Sequence, residues 1–336
     1  MRWYSYFKIP ALIIIAGILF SCKPAPPYLT HRGFTQGTIY MVTYESPDSV
    51  SYEEEIKRQL YDFSASLSTY IPTSLISRIN QNDTTAVVDE LFRTVFNKAV
   101  EISKASDGAF DITVAPLVNL WGFGFTGDQP DMDPNKIDSL MKFVGMDKIR
   151  IEGDKAVKDL PGVMLNMNAI AKGYSADVIA NFLISKGVRN FLVNIGGECV
   201  ARGVNANGEV WRLAVEKPID GAEYGEHRQA IVFLNNRAMA TSANSRRFVE
   251  IDGVKYAHTI DARTGYPVMH NLLSATVIAD DCMTADAWAT AFMASGLEKS
   301  IQLLQKHLEL EALLVYSDEN GNFNTHATKG LDAVVF

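Results

Sequence analysis

Cysteine and positive charge are both scarce in this chain of 336 residues. Its three cysteines exclude a scaffold stapled by several disulfides and a zinc or iron–sulfur centre held mainly by thiolates. The 31 lysines and arginines are outnumbered by 39 aspartates and glutamates, which gives a formal net charge of −8. Because general nucleic-acid binding depends on a basic surface, this balance argues against that class of protein.

Several familiar motifs are also missing. After residue 30 there is no internal repeat or low-complexity linker, and there is no P-loop, H-E-x-x-H or G-x-S-x-G signature anywhere. A G-x-G-x-x-G pattern occurs at residues 122–127, but Pro130 follows it, and no helix can open at the third glycine as a dinucleotide site requires. A segment that begins like an EF-hand at Asp131 has Lys136 where the turn glycine belongs. We therefore expect neither a dinucleotide fold nor a calcium loop.

The N-terminus reads as an export signal. An apolar run covers residues 11–20, which is too short for a comfortable membrane span. Arg2 and Lys8 precede the run, an arrangement typical of a secretory signal peptide.

A lipid anchor is predicted directly after this run. Residues 19–22 resemble a bacterial lipobox, which predicts a signal peptide at 1–21, lipidation of Cys22 and a tether at 22–30. An uncleaved signal anchor is the alternative. Cleavage would leave 29 basic against 39 acidic residues, a formal net charge of −10. We expect an envelope lipoprotein at the inner membrane facing the periplasm, although Lys23 alone does not separate inner from outer membrane.

Hydrophobic periodicity predicts a mixed fold. Helices are predicted at residues 50–67, 88–106, 170–186, 284–295 and 297–307, the fourth with Thr284 as its N-cap. Strands are predicted at residues 37–44, 190–195, 210–216, 229–234, 247–251, 312–316 and 322–327, with a hairpin-like segment at 254–280. Because the order shows no strict βαβ alternation, we predict one α+β domain over residues 31–336. Within it Cys199 and Cys282 are either bonded or buried.

Lys172 marks a first candidate site. An apolar stretch from Leu165 runs directly into a helix, so Lys172 and free backbone N–H groups are expected together in its first turn. Such a helix start attracts anions, and phosphate is the obvious candidate. The alternative is a solvated lysine with no ligand.

Asp286 and Thr290 mark a second candidate site. They are four residues apart and therefore lie on one face of a helix that is otherwise small and apolar. A carboxylate and a hydroxyl there are either a structural hydrogen-bonded pair or two oxygen ligands for Mg²⁺, completed by phosphates and water.

His258 marks the third. It precedes a segment punctuated by Asp261, Gly265 and Pro267, which predicts a β-turn. At a strand end beside this turn His258 could act as a general base near neutral pH, or it could be structural.

Together these segments carry a family resemblance that extends from about residue 33 to about residue 330. The matching motifs, in chain order, are Gly37-Thr38, Ser68-Thr-Tyr70, Asp107-Gly-Ala-Phe-Asp111, Asn166-x-x-Ala169-x-x-Lys172-Gly173, Asn194-Ile-Gly-Gly197-Glu198, Ala240-Thr-Ser242, His258-Thr-Ile-Asp261-x-x-Thr264-Gly265 and Thr284-Ala-Asp286-x-x-x-Thr290. In this order they resemble the ApbE family, the FAD:protein FMN transferases.

The resemblance implies an enzyme that uses Mg²⁺ to split the pyrophosphate of FAD. It transfers FMN to a threonine or serine hydroxyl of a partner flavoprotein and releases AMP. By similarity Asp286, Thr290 and the backbone carbonyl of Ala169 hold Mg²⁺, and His258 deprotonates the acceptor hydroxyl. The positions implied to line the FAD site are Gln36, Tyr70, Ala109, Phe110, Asp111, Asn166, Lys172 and Ile260. Acceptors in the family are subunits of sodium-pumping NADH:quinone reductase, Rnf-type complexes and related envelope flavoproteins.

Three positions depart from the family pattern. Gln36 stands where many members have Met, Asn166 where many have Asp, and Ala289 where some place a second Asp beside the metal-binding threonine. Two other functions stay open. One is an FAD pyrophosphatase that yields free FMN and AMP, and the other is a flavin-binding lipoprotein without enzymatic activity.

Overall fold

The computed structural model describes residues 27–127, 129–219, 221, 225–244, 248–251 and 254–336. The predicted signal peptide and Cys22 lie outside these residues. The helices are α1 Glu53–Leu67, α2 Leu75–Asn80, α3 Glu90–Ala105, α4 Ala115–Leu120, α5 Pro134–Met141, α6 Asn168–Ser185, α7 Cys282–Ser295 and α8 Leu297–Leu304. The strands are β1 Tyr28–Thr35, β2 Thr38–Glu45, β3 Ile149–Glu152, β4 Lys155–Lys158, β5 Phe191–Ile195, β6 Glu198–Arg202, β7 Trp211–Glu216, β8 Arg228–Leu234, β9 Ala238–Ala243, β10 Phe248–Ile251, β11 Val254–Ala257, β12 Leu272–Ala279, β13 Glu311–Ser317, β14 Phe323–Ala327 and β15 Ala333–Val335.

An eight-stranded antiparallel sheet organises the molecule, in the order β1-β2-β5-β6-β9-β12-β13-β14. A second sheet has the order β15-β8-β7. Two small hairpins, β3-β4 and β10-β11, complete the strand pairing of the described residues. Helices combined with antiparallel sheets confirm the predicted α+β class, since a doubly wound fold requires parallel strands.

The large sheet has apolar side chains on both faces because both faces are covered. Phe191 and Val193 of β5 point into a core shared with α1, α3, α6 and α7. Leu192, between them, points the other way and packs in a second core with Trp211 and Val232 of the small sheet. This alternation is the two-residue period of a strand, and the small sheet explains why the outward positions are apolar as well.

A third, smaller core lies under the segment that follows β11. Its buried residues are Leu117, Trp121, Phe123, Ile137, Val144, Ile260 and Ala262. It joins α4 and α5 to the predicted turn, so the position of that turn depends on packing as well as on local sequence.

Two local predictions were wrong. Residues 254–280 do not form a hairpin, because β11 pairs with β10 while β12 pairs with β9 and β13. The N-cap of α7 is Asp281, not Thr284, and its carboxylate accepts a hydrogen bond from the Thr284 backbone N–H at 2.7 Å. An aspartate at this position adds charge to the cap, which a helix N-terminus favours.

Cys199 and Cys282 are free and buried. Of the two predicted alternatives, a disulfide or burial, the structure shows burial. Within the described ranges no helix combines the length and the apolar run that crossing a bilayer would need.

Candidate active site

A cavity of about 480 Å³ lies where the three cores meet. Phe110 of the first core, Val215 of the second and Phe123 of the third all line it. The predicted site residues that line the cavity are Ala109, Phe110, Asp111, Asn166, Ala169, Lys172, His258, Ile260, Asp286 and Thr290. The fold therefore brings together residues from distant parts of the chain, in a cavity of the size usual for small-molecule sites.

Gln36 and Tyr70 are not among the residues that line this cavity. Tyr70 lies in the loop between α1 and α2 and is 56% exposed. Gln36 occupies the β1–β2 turn with a φ of 49°, and its Nε2 is buried without a hydrogen-bond partner among the described residues. The start of β2, directly after this turn, adjoins the cavity wall, since the Gly196 N–H donates to the Ile39 carbonyl at 3.0 Å and Gly196 lines the cavity.

Helices α6 and α7 approach closely at Gly173. A Cβ at this position would lie 2.7 Å from the Cβ of Asp286, so the packing requires glycine. The Gly173 N–H donates to Asp286 Oδ2 at 2.9 Å. In a regular helix the same amide also faces the carbonyl of Ala169, four residues earlier. The close packing thus places the Asp286 carboxylate beside the start of α6, where Ala169 lies.

Thr290 lies one turn beyond Asp286 on α7, and its Oγ1 is 3.2 Å from the Oγ of Ser242 on β9. A buried carboxylate, a hydroxyl and a nearby backbone carbonyl are hard oxygen donors of the kind that Mg²⁺ prefers. The residues present therefore fit a magnesium site that takes its remaining ligands from substrate oxygens or water. The described part of the chain holds no cluster of three or more His, Cys, Asp or Glu that could hold a metal ion.

The prediction that Lys172 lies in the first turn of its helix was wrong. It lies in the second turn of α6, and its Nζ forms an ion pair with Glu198. The Glu198 side chain is 3% exposed and that of Lys172 is 33% exposed. Glu198 follows the two-residue turn of Gly196 and Gly197, both with positive φ, which joins β5 to β6. The charge of Lys172 is therefore already balanced within the protein.

One ammonium group faces two buried carboxylates in this part of the cavity. Burial raises the pKa of both Glu198 and Asp286, and the positive charge of Lys172 opposes each rise. Burial by itself would lower the pKa of Lys172, but attraction to Glu198 and Asp286 outweighs burial and raises it. The three groups together carry one excess negative charge when all are ionised. Removing one partner of such a buried pair costs about 3–5 kcal/mol.

His258 lies directly after β11, and its ring is 6.3 Å from that of Phe123 in an edge-on arrangement. The β-turn that follows is confirmed, since the Thr264 N–H donates to the Asp261 carbonyl at 3.1 Å. Trp121 Nε1 donates to the Gly265 carbonyl at 2.9 Å, which ties the turn to the third core. An imidazole is thereby held at the cavity wall, where a reacting hydroxyl could reach it.

Two further polar residues shape the cavity near the start of α6. Asn166 Oδ1 accepts a hydrogen bond from the Asn168 N–H at 3.0 Å and so supplies a partner to the open end of the helix. Burial raises the pKa of Asp111, while hydrogen bonds from Thr113, including one from its N–H at 2.7 Å, oppose the rise.

Part of the cavity wall was not predicted. The polar residues that line it without a role assigned from the sequence include Asn194, Glu198, Glu216, Lys217, Thr241 and Ser242. Glu198 and Ser242 belong to motifs that marked the family resemblance, so a signal for them existed. Glu216 and Lys217, at the end of β7, carried none, because their approach to the cavity depends on how the small sheet packs.

The fold and the site together define an α+β protein with a cavity that is lined by oxygen donors and a histidine. A profile of the ApbE family matches residues 36–314. A FAD:protein FMN transferase of Haemophilus influenzae is 36% identical over 323 residues, which cover 92% of each chain. Another protein of that name, from Escherichia coli K12, is 34% identical over 340 residues, which cover 95% of each chain. The chain therefore belongs to the ApbE family.

Solved structures agree with this assignment. The flavin transferase ApbE of Vibrio cholerae matches with a TM-score of 0.81 at 33% identity, over 90% of this chain and 97% of that one. The flavinyl transferase ApbE of Pseudomonas stutzeri, in its apo form, matches with a TM-score of 0.79 at 32% identity, over 90% and 95% of the two chains.

Proposed function

We propose that this protein is an FAD:protein FMN transferase. The observation that carries the proposal is the convergence of Asp286, Thr290, the start of α6 and His258 on one cavity, in a chain of the ApbE family. Relatives that match almost the whole chain bear this name. Oxygen donors and a histidine in one cavity suit the splitting of a phosphoanhydride, which needs neutralised charge and a positioned nucleophile.

In the proposed reaction the hydroxyl oxygen of an acceptor serine or threonine attacks the FMN phosphorus of FAD. The new P–O bond joins FMN to the acceptor, and the P–O bond to the AMP phosphate breaks. His258 takes the hydroxyl proton, and the bonding electrons leave with AMP. Phe110 and Ile260 offer apolar surface in the same cavity on which a flavin ring could pack.

Mg²⁺ would be held by Asp286, Thr290 and the carbonyl of Ala169, and when bound it would neutralise charge on the phosphates. Because Lys172 is already paired with Glu198, its charge is not free for a polyanion, which leaves Lys217 as the other lysine among the described lining residues. The proposed cation would therefore add positive charge next to the phosphates.

We further propose that the protein is a lipoprotein anchored through Cys22, at the inner membrane facing the periplasm. Its acceptors would be envelope flavoprotein subunits, such as those of sodium-pumping NADH:quinone reductase or Rnf-type complexes. The support for both is the N-terminal sequence pattern and the family resemblance.

The test is incubation of the protein with FAD, Mg²⁺ and an envelope flavoprotein subunit encoded in the same genome. We expect the acceptor to gain the mass of FMN less one water on a single hydroxyl, with one AMP released per FMN transferred. AMP and free FMN formed at a rate that no acceptor changes would instead identify a pyrophosphatase. FAD binding without any AMP would identify a flavin-binding protein.

A further inference from the structure

Lys172 lies within electrostatic reach of two buried carboxylates but pairs with only one of them. The charges of both Glu198 and Asp286 act on its ammonium group. Among the described residues, however, its ion pair is with Glu198, while Asp286 Oδ2 receives the Gly173 N–H at 2.9 Å. The structure thus keeps the lysine and Asp286 apart even though their charges attract.

The partner that holds Lys172 is itself rigidly placed. Glu198 lies opposite Ile195 in the β5–β6 ladder, and the turn between them has only two residues, Gly196 and Gly197. Glu198 as a whole is 2% exposed. Its second carboxylate oxygen, Oε2, has no hydrogen-bond partner in the part of the chain that is described. A buried carboxylate with so few donors binds its cation strongly, because losing that cation leaves an uncompensated charge.

We propose that Glu198 is a positioning residue that restrains Lys172, so that the carboxylate of Asp286 stays open to a divalent cation. Without Glu198, the ammonium group would turn to Asp286, the other buried carboxylate that attracts it. An ion pair there would occupy oxygens that a cation needs and would add a positive charge beside it. The inference rests on the proposed function in one respect only, that Asp286 is a cation ligand.

The test is direct titration of the protein with Mn²⁺ as a Mg²⁺ substitute, without FAD, with free Mn²⁺ measured by electron paramagnetic resonance. Glu198→Gln should weaken Mn²⁺ binding by about tenfold or more, the usual effect of losing a residue that orients a metal ligand. Lys172→Met should bind Mn²⁺ at least as tightly as the wild type, because the competing charge is gone. The double variant should recover to within about threefold of the wild type, since the two changes act through one interaction.

A matched control is Glu101→Gln on α3, which removes a comparable pair, Lys98–Glu101 at 2.9 Å, from the protein surface. It should leave Mn²⁺ affinity unchanged. Equal affinity for wild type and Glu198→Gln would overturn the inference, as would a double variant that stays weak. Should circular dichroism show that Glu198→Gln is unfolded, the double variant still decides, because it removes both charges of the pair and weak Mn²⁺ binding in it contradicts the restraint. FMN transfer measured on the wild type separates the two proposals. If the wild type transfers FMN but Glu198→Gln leaves Mn²⁺ affinity unchanged, the positioning role of Glu198 is overturned and the proposed function is not.

Discussion

His258 is the residue on which transfer, as distinct from binding, depends in the proposed reaction. It lies at the cavity wall beside Phe123, on a turn that is tied to the third core through Trp121. Its place is therefore set by packing that does not involve the ligand. Replacing the imidazole should remove the proton acceptor and leave the cavity itself largely as it is.

We expect His258→Ala to lower the rate of FMN transfer by about 10²–10⁴-fold, the usual contribution of a general base. FAD affinity, measured by fluorescence titration, should stay within about threefold of the wild type, because the imidazole acts in the chemical step and not in FAD binding. His326→Ala, on strand β14 at the edge of the large sheet, is a control that should change neither quantity. Parallel losses of affinity and rate would assign His258 to binding instead.

At the same scale, the sequence predicted the types of site residue better than their partners. Asp286, Thr290 and His258 could be selected from local spacing, and the structure brings all three to one cavity. The partner of Lys172 could not be found in this way, because Glu198 is 26 residues away and on another element. The hydrogen bond between Gly173 and Asp286 spans 113 residues, and only helix packing brings these two together.

At the scale of elements, the junction of α6 and α7 determines the site. Asp177 of α6 accepts hydrogen bonds from the backbone N–H groups of Cys282 and Met283, both at 2.8 Å. Asp281 caps the same helix start. The first turn of α7 is therefore held from two sides, which fixes the position of Asp286 one turn later.

Asp177 should make the stability of this junction depend on pH. Burial raises its pKa from 3.8 to about 7, against the opposing effect of the two amide hydrogen bonds. Because the folded state binds this proton more tightly than the unfolded state, its contribution to stability is complete below pH 4 and is lost as the pH rises through about 7. Asp177→Asn has no such proton to lose.

The free energy of unfolding of the wild type, relative to that of Asp177→Asn, should thus fall by about 3 kcal/mol between pH 5 and pH 8. Urea denaturation of both proteins at several pH values measures this difference. A difference that stays constant over the range would show that the folded carboxyl titrates near its ordinary pKa.

Element length explains which parts of the fold the sequence revealed. The longer helices α1, α3 and α6 have 15, 16 and 18 residues, enough turns for an apolar pattern to repeat, and all three were predicted. Helices α2 and α4 have six residues each and were missed, because fewer than two turns leave no periodicity to detect. The pairing of β12 with β9 and β13 could not be predicted from local patterns either, because it joins strands that are far apart in the sequence.

At the scale of the whole molecule, the proposed anchor and the proposed chemistry are separable. Cys22 lies outside the described residues, while the described residues that line the cavity lie between 109 and 294. We expect Cys22→Ala to move the protein from the membrane fraction to the soluble fraction of the cell. The purified variant should transfer FMN to a soluble acceptor at the wild-type rate. Continued recovery of the variant with membranes would argue for an uncleaved signal anchor.

The first hairpin also has a consequence for how the enzyme meets its acceptor. Its strand β1 begins at Tyr28 and runs for eight residues to the turn at Gln36, which leads into the start of β2 at the cavity wall. Eight residues of strand span about 26 Å. With a lipid attached at Cys22, the hairpin would act as a spacer that can hold the cavity well above the bilayer surface. Acceptors would then be selected partly by height, since only a hydroxyl presented at the matching distance from the membrane could enter.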